Sequence, residues 1–278
     1  MHILLKTESG DFMLVTLSVR KGTYKGIFSF LKKDEILQEK VLAGDISLTN
    51  IYYSKFHKKI NSKAILKTCM SLTDTVICKS GILPDSGKVQ RFSDNTLNIL
   101  LMENFILDIL REFPPDTFRM VICDPLGEFH EFAESLSMYT TNLTIVTEMT
   151  NFYTNCCDEW QNPYKANLTI TDKPEKAEEC DLLIHPKMIT STPVIKSRLT
   201  FTAYPTKISD DRIIYRYIPE YPQKYDIPLP EDIDKNDFFC ALYSLEKKYE
   251  LGKLIPDKCL CSRGTVTRNY IMKNLFDK

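Results

Sequence analysis

The sequence has no stretch of the ~18 to 20 consecutive apolar residues that a membrane-spanning helix requires. Its first 20 residues include acidic side chains and lack the continuous apolar segment of a secretory signal peptide. We therefore expect a cytoplasmic chain with no membrane partner. A reducing compartment also fits the odd number of cysteines, nine, of which Cys123 and Cys240 fall at apolar positions of predicted elements.

The sequence has almost no net charge: 36 Lys and Arg against 37 Asp and Glu give -1 at pH 7. No overall field attracts nucleic acid or an anionic surface, so neither partner is expected. The strongest basic run comprises Lys55, His57, Lys58, Lys59 and Lys63. Such runs are usually the solvated end of a helix, and we interpret this one in that way.

Motifs of the familiar catalytic classes are also missing. The sequence contains no Walker-type phosphate loop, no G-x-S-x-G elbow and no kinase signature. His130, Glu131 and Glu134 form only part of a zinc-protease helix, because a second histidine on the same face is absent. We therefore interpret these three residues as an exposed helix face.

Two arrangements near the end of the sequence have a structural and a functional interpretation. Cys259 and Cys261 lack the second close pair of ligands that a zinc site needs, and we interpret them as ordinary thiols. Thr265 is interpreted as the cap of a last helix. The alternative is an anion site formed at that helix with Arg263 and Arg268.

The first 55 residues carry β-branched and aromatic residues between glycine-containing turns, which predicts a small antiparallel sheet with strands at 2–5, 12–19, 24–30 and 46–53. From Ser62, the predicted cap, apolar residues recur at helical spacing as far as Ile77. A loop-like segment follows over 81–95. The sequence thus predicts a β-rich α+β segment over 1–90 and a Rossmann-like α/β domain with C-terminal helices over 91–278.

The middle of the chain alternates helical and strand patterns. An apolar stripe over 96–112 predicts a helix, which Pro114 and Pro115 end. Short apolar runs between helical segments then predict parallel strands that are buried on both faces. The predicted fold class is α/β, with a doubly wound, mainly parallel sheet and a smaller N-terminal part. The runs lie at 118–123, 143–146, 168–170 and 182–184, the helical segments at 128–138, 151–161 and 174–179, and later elements at 198–203, 212–218 and 235–250.

Residues 118–185, about a quarter of the chain, resemble the Rossmann-like, NAD(P)-binding-like superfamily. The likeness lies in a strand running into a turn with Gly127 and in Glu148 after the second strand. Residues 176–184 also resemble the helical turn and fourth strand that end the first half of such folds. It implies NAD(P) or another nucleotide as cofactor, with Glu148 on the ribose hydroxyls. The turn departs from the pattern, because it has one glycine where G-x-G-x-x-G has three, and Asp124 and Glu128 bring negative charge to the pyrophosphate position.

In a parallel sheet, ligands bind beyond the carboxyl ends of the strands, where the strand order reverses. Three carboxylates and an imidazole on one rim suit a small ligand, a divalent cation or acid–base chemistry, whereas strands that merely end at polar residues are the structural alternative. We predict a small ligand, a nucleotide or metabolite, at this rim, and no metal site. The alternatives are a non-catalytic interaction or regulatory module that has lost its cofactor and a methyltransferase-like enzyme. The predicted ligand-binding residues are Asp124, Gly127, Glu148, Asp172 and His185.

Overall fold

A computed structural model describes residues 13–22, 33–57, 59–83, 87–160, 167–177, 179–191 and 193–276. The chain forms two compact units. Unit 1 comprises Met1–Leu97 and Tyr221–Leu251, and unit 2 comprises Asn98–Glu220 and Gly252–Lys278. The predicted division lay at residue 90, whereas these units change over after Leu97 and unit 1 includes a later segment. That segment joins unit 1 because its helix packs against a strand of the first sheet.

Unit 1 is built on a five-stranded sheet of order β2-β3-β1-β4-β5. A helix α1, Ser62–Met70, separates β3 from β4, and a helix α5, Lys235–Ser244, begins where the Asp234 side chain accepts from Asn236 N at 2.8 Å. The strands are β1 (Met13–Lys21), β2 (Glu35–Ala43), β3 (Ile46–Lys55), β4 (Thr75–Cys78) and β5 (Gln90–Arg91).

The prediction of an antiparallel first sheet is wrong. β1 pairs in parallel with both β3 and β4, and β4 pairs in parallel with β5. Among the strands that the structure describes in this sheet, only β2 and β3 are antiparallel. The sequence signal for β2 is weak because this strand is charged and largely exposed. The predicted strands at 2–5 and 24–30 lie outside the described residues.

The predicted helix after Ser62 is also too long. α1 ends at Met70, and its cap is Asn61, whose side chain accepts from Ala64 N at 3.2 Å. Val76 and Ile77 match helical spacing but belong to β4, where β-branched side chains fill a largely buried strand. Lys55 ends β3, so the basic run begins at a strand end and not at the end of a helix.

Unit 2 is built on an eight-stranded sheet of order β13-β12-β11-β10-β9-β6-β7-β8. The six strands β6 to β11 pair in parallel, and β12 and β13 add antiparallel pairs at one edge. The strands are β6 (Arg119–Cys123), β7 (Asn142–Val146), β8 (Asn167–Thr171), β9 (Cys180–Ile184), β10 (Ser197–Phe201), β11 (Ile213–Ile218), β12 (Lys258–Cys261) and β13 (Gly264–Thr267).

The parallel strands follow the order β8-β7-β6-β9-β10-β11, which is 3-2-1-4-5-6 when they are counted along the chain. This is the Rossmann order. The prediction of a mainly parallel α/β sheet is confirmed. Since the order reverses between the first and fourth strands, the topological switch point lies between β6 and β9.

The helices of the second sheet are α2 (Thr96–Leu110), which begins in unit 1, α3 (His130–Ser137), α4 (Thr150–Glu159) and α6 (Arg268–Phe276). Phe105 of α2 packs its ring against the rings of Phe201 and Tyr217, with centroids 6.2 and 5.5 Å apart. Thr265 lies in β13 and not at a helix cap, so the predicted cap is wrong. No helix among the described residues is long and apolar enough to cross a membrane.

Candidate functional site

Four predicted site residues follow four neighbouring parallel strands. Asp124 comes directly after β6, Asp172 after β8 and His185 after β9, whereas Glu148 is the second residue after β7. Because these strands are parallel and adjacent, the four residues lie along one rim of the sheet. Asp124 and His185 border the switch point. Asp172 is two strands from β6, or roughly 10 Å at the usual spacing between strands.

Asp124 is fully buried, and its carboxylate is occupied by donors from its own unit. Oδ1 accepts from Glu128 N at 3.1 Å, and Oδ2 accepts from Phe129 N at 2.8 Å. The Tyr153 hydroxyl donates to Oδ2 at 2.6 Å, and burial and this carboxylate together raise the pKa of Tyr153. Asp124 therefore holds the turn after β6 against α4, and it is a positioning residue in this arrangement.

The two amides bonded to Asp124 lead directly into α3. In dinucleotide-binding Rossmann folds, amides at the start of the corresponding helix receive the pyrophosphate. Here a side chain of the protein supplies the negative charge. Phosphate binding in the usual manner would have to displace a buried carboxylate with three hydrogen bonds.

Gly127 has a backbone conformation that suits glycine. Its φ is +73°, and a Cβ at this position would lie 3.1 Å from the Phe152 ring. The His130 ring packs edge-on against Phe152 with centroids 5.3 Å apart, and its Nδ1 lies 3.2 Å from Gly127 O. The single glycine of the turn therefore accommodates an aromatic side chain of the protein.

Replacing Gly127 by alanine is expected to lower the free energy of unfolding by about 2 kcal/mol, from a strained φ and from crowding against Phe152. Gly44 is the matched control, since its φ is +63° and a Cβ there meets nothing within 4 Å. Gly44→Ala should cost about 1 kcal/mol from the backbone alone. Denaturant unfolding followed by circular dichroism measures both, and equal losses would show that the Phe152 contact contributes nothing.

The other side of the switch point carries an imidazole and an ammonium group. His185 is half-buried, and its Nδ1 lies 3.1 Å from Lys187 O. A proton on Nδ1 would donate to that carbonyl and leave Nε2 as an acceptor. Lys187 Nζ lies 2.8 Å from Glu128 Oε2, so an ion pair joins the segment after β9 to the turn after β6.

Lys187, Glu128 and Tyr153 are the residues at this rim that the sequence interpretation missed as partners. Lys187 lies two residues beyond His185, in the segment that follows a buried strand, and this position was the available signal. Glu148 is exposed, and its amide donates to Pro125 O at 3.2 Å, which joins the turns after β6 and β7. Asp172 is also exposed.

Within the part of the chain that the structure describes, no three His, Cys, Asp or Glu side chains are placed to hold a metal ion.

A cavity of about 140 Å³ lies at the opposite, amino-terminal ends of β6, β7 and β8, near Arg119, Asn142 and Asn167. That volume is below the usual range of small-molecule sites, about 300 to 1,000 Å³.

The strand order and the location of the switch point define the class of this protein as Rossmann-like α/β. No family model matches the chain, and no curated protein matches it. Among solved structures, the chain is similar to a shikimate 5-dehydrogenase-like protein with a TM-score of 0.28 and 7% identity, over 70% of this chain and 78% of the other. A likeness at this level transfers no activity.

Proposed function

We propose that this protein binds a small polar ligand at the switch point of its second sheet, with His185 and Lys187 on one side and the 124–129 turn on the other. The supporting observation is the strand order, which reverses between β6 and β9. Ligands of open parallel sheets bind beyond the strand ends at that place. Glu148 after β7 is the next polar group along the rim.

The polar groups of the rim restrict the chemical classes of ligand that it would bind. Asp124 already satisfies the amides before α3, which argues against a dinucleotide held there by its pyrophosphate. His185 Nε2 would accept from a hydroxyl or amine, and Glu148 would accept from hydroxyl groups. Lys187 would donate to a carboxylate or phosphate beside its ion pair with Glu128. A metabolite with hydroxyl and acidic groups, or a nucleotide held by its ribose, has these complementary groups.

Within this proposal the five predicted residues have two kinds of role. Asp124 and Gly127 would position the turn, since the first is saturated and the second packs against Phe152. His185 and Glu148 would contact the ligand. Asp172 would take part only with a ligand long enough to reach the edge strand.

A non-catalytic interaction or regulatory module is the second candidate. The observation that favours it is the internal carboxylate at the start of α3, because it replaces the cofactor phosphate with a permanent part of the protein. Such a module would keep the architecture without binding a nucleotide or metabolite. The two candidates differ in whether any small molecule stabilises the native state.

Thermal unfolding of the full chain in the presence of NAD, NADP, S-adenosylmethionine, ATP and hydroxy acids separates them. A ligand at 100 times its Kd adds about 2.7 kcal/mol to the native state. For a domain of this size the expected rise in Tm is roughly 5 to 10 °C. The rise should be lost in His185→Ala and kept in Lys67→Ala, a control at an exposed position of α1 in unit 1.

Two results would contradict the proposed ligand site at the rim. If no compound raises Tm, the interaction module becomes the better description. A rise that His185→Ala leaves unchanged would remove that residue from the site. Adenosine and AMP belong in the same panel, since a difference between them measures the contribution of a phosphate.

A further inference from the structure

A cavity of about 500 Å³ lies in unit 1, outside the rim described above. It opens at the carboxyl ends of β1 and β3, which run in parallel register from Met13 paired with Ser47 to Lys21 paired with Lys55. Parallel strands that end together form the edge at which α/β sheets bind ligands. The lining residues of interest are Arg20, Lys21, Gly22, Lys55, Phe56 and His57.

The cavity is strongly cationic. Arg20, Lys21 and Lys55 are positively charged, His57 adds an imidazole, and the named lining residues include no carboxylate. Among the residues that the structure describes, no acidic side chain forms an ion pair with these three cations. This concentration of charge contrasts with a whole-chain charge of -1.

The acidic groups beside the ends of β1 and β3 have other partners. Glu39 accepts from the Tyr52 hydroxyl at 3.0 Å. Asp34 accepts from Phe56 N at 2.8 Å and from the Tyr53 hydroxyl. Asp232 accepts from Val19 N at 3.2 Å. Since these carboxylates bind backbone amides and hydroxyls, they fix the strand ends and leave the cations of the cavity for an anion.

The walls of the cavity are held in place by packing. The Arg20 guanidinium lies over the Tyr52 ring, 3.9 Å from its centroid. Gly22 N donates to Lys55 O at 2.8 Å, and a Cβ on Gly22 would lie 2.4 Å from the Phe56 ring. The absence of a side chain at Gly22 thus lets the aromatic ring lie against the backbone beside the cations.

We propose that this cavity binds a phosphorylated small molecule of about mononucleotide size. Its volume falls within the usual range of small-molecule sites, about 300 to 1,000 Å³. Lys21 and Lys55, which pair across β1 and β3, supply charge-assisted donors for phosphate oxygens, Arg20 adds positive charge beside them, and Phe56 supplies an apolar wall for a ring. A small ligand fits better than a nucleic acid, because the cations are confined to one cavity and do not form a stripe across the protein.

Isothermal titration of the full chain with AMP, and with adenosine as its uncharged counterpart, tests this site at about 0.15 M salt, where interactions between distant surface charges are screened. AMP is expected to bind at least 10 times more tightly than adenosine. Arg20→Glu and Lys55→Glu should each weaken AMP binding 10-fold or more. Lys67→Glu, an equal change of charge at an exposed position of α1, should change it less than 2-fold.

A second pair of variants guards against misfolding. Lys55→Gln removes charge without reversing it and should weaken AMP about 3- to 10-fold with an unchanged circular dichroism spectrum. His185→Ala, in unit 2, should leave AMP binding at this cavity unchanged, so failure here is distinguishable from failure of the proposed rim. Equal affinity for AMP and adenosine, or equal losses in Lys55→Glu and Lys67→Glu, would overturn the proposal. So would binding of a 20-nucleotide RNA or of anionic lipid vesicles without binding of AMP.

Discussion

Asp124→Ala is expected to lower the free energy of unfolding of unit 2 by about 4 kcal/mol, because it leaves three donors around a buried site without their acceptor. Those donors are the amides of Glu128 and Phe129 and the hydroxyl of Tyr153. Asp124→Asn keeps the size but replaces one accepting oxygen with a donor, so a loss of about 2 to 3 kcal/mol is expected. Urea unfolding of each variant measures the loss.

Trp160 is the only tryptophan of the sequence, so tryptophan fluorescence during urea unfolding reports on one region of the protein. The ring centroid of Trp160 lies 6.2 Å from that of Tyr153, so its fluorescence follows the unfolding of the region that Asp124 holds. Glu148→Gln, at an exposed position on the same rim, should change the free energy by less than about 0.5 kcal/mol. A comparable loss in both variants would contradict the structural role assigned to Asp124.

The second large effect is a loss of stability as the pH rises, and it comes from Glu103 of α2. Burial, assisted by the nearby charge of Glu131, raises the pKa of Glu103 to about 7 from an ordinary value of 4.5. The native state therefore holds a proton that the unfolded chain releases, and its stability falls as the pH rises from about 4.5 to 7. Between pH 5 and pH 8 the expected loss is about 2 kcal/mol, reduced from the full linkage value because Glu103 is half-buried.

Glu103→Gln should remove this dependence, because an amide does not titrate. The variant is then more stable than the natural chain at pH 8, and the two differ little at pH 5. Glu131→Gln serves as the control, since it removes the smaller contribution and should keep most of the slope. Urea midpoints at half-unit steps of pH measure all three chains, and parallel curves for the natural chain and Glu103→Gln would contradict the assignment.

The second sheet could be predicted from the sequence because each of its signals is local. Buried parallel strands appear as short apolar runs, such as the one that became β6, and amphipathic segments between them became α3 and α4. The strand order could not be predicted beyond residue 190, since it depends on contacts between distant strands. The first sheet was misjudged because β2 is a charged strand and the parallel pair β1 and β3 is joined by a long connection.

At the rim, too, the sequence predicts the positions that depend on strand direction but not the contacts between distant residues. That polar residues such as Asp124 and His185 would share an edge followed from parallel strands. The sequence does not predict the hydrogen bond from Tyr153 to Asp124, which lies 29 positions away, because this contact requires α4 to pack against the turn. The ion pair of Lys187 with Glu128 has the same origin.

Imidazole resonances of the full chain, recorded by NMR while candidate ligands are added, test the central claim most directly. The sequence has four histidines, and three of them mark distinct places: His185 the switch point, His130 the turn after β6, and His57 the cationic cavity of unit 1. A ligand of the rim should shift His185, move His130 less and leave His57 in place. Shifts confined to His57, or none with any compound that raises Tm, would contradict a ligand site at the switch point.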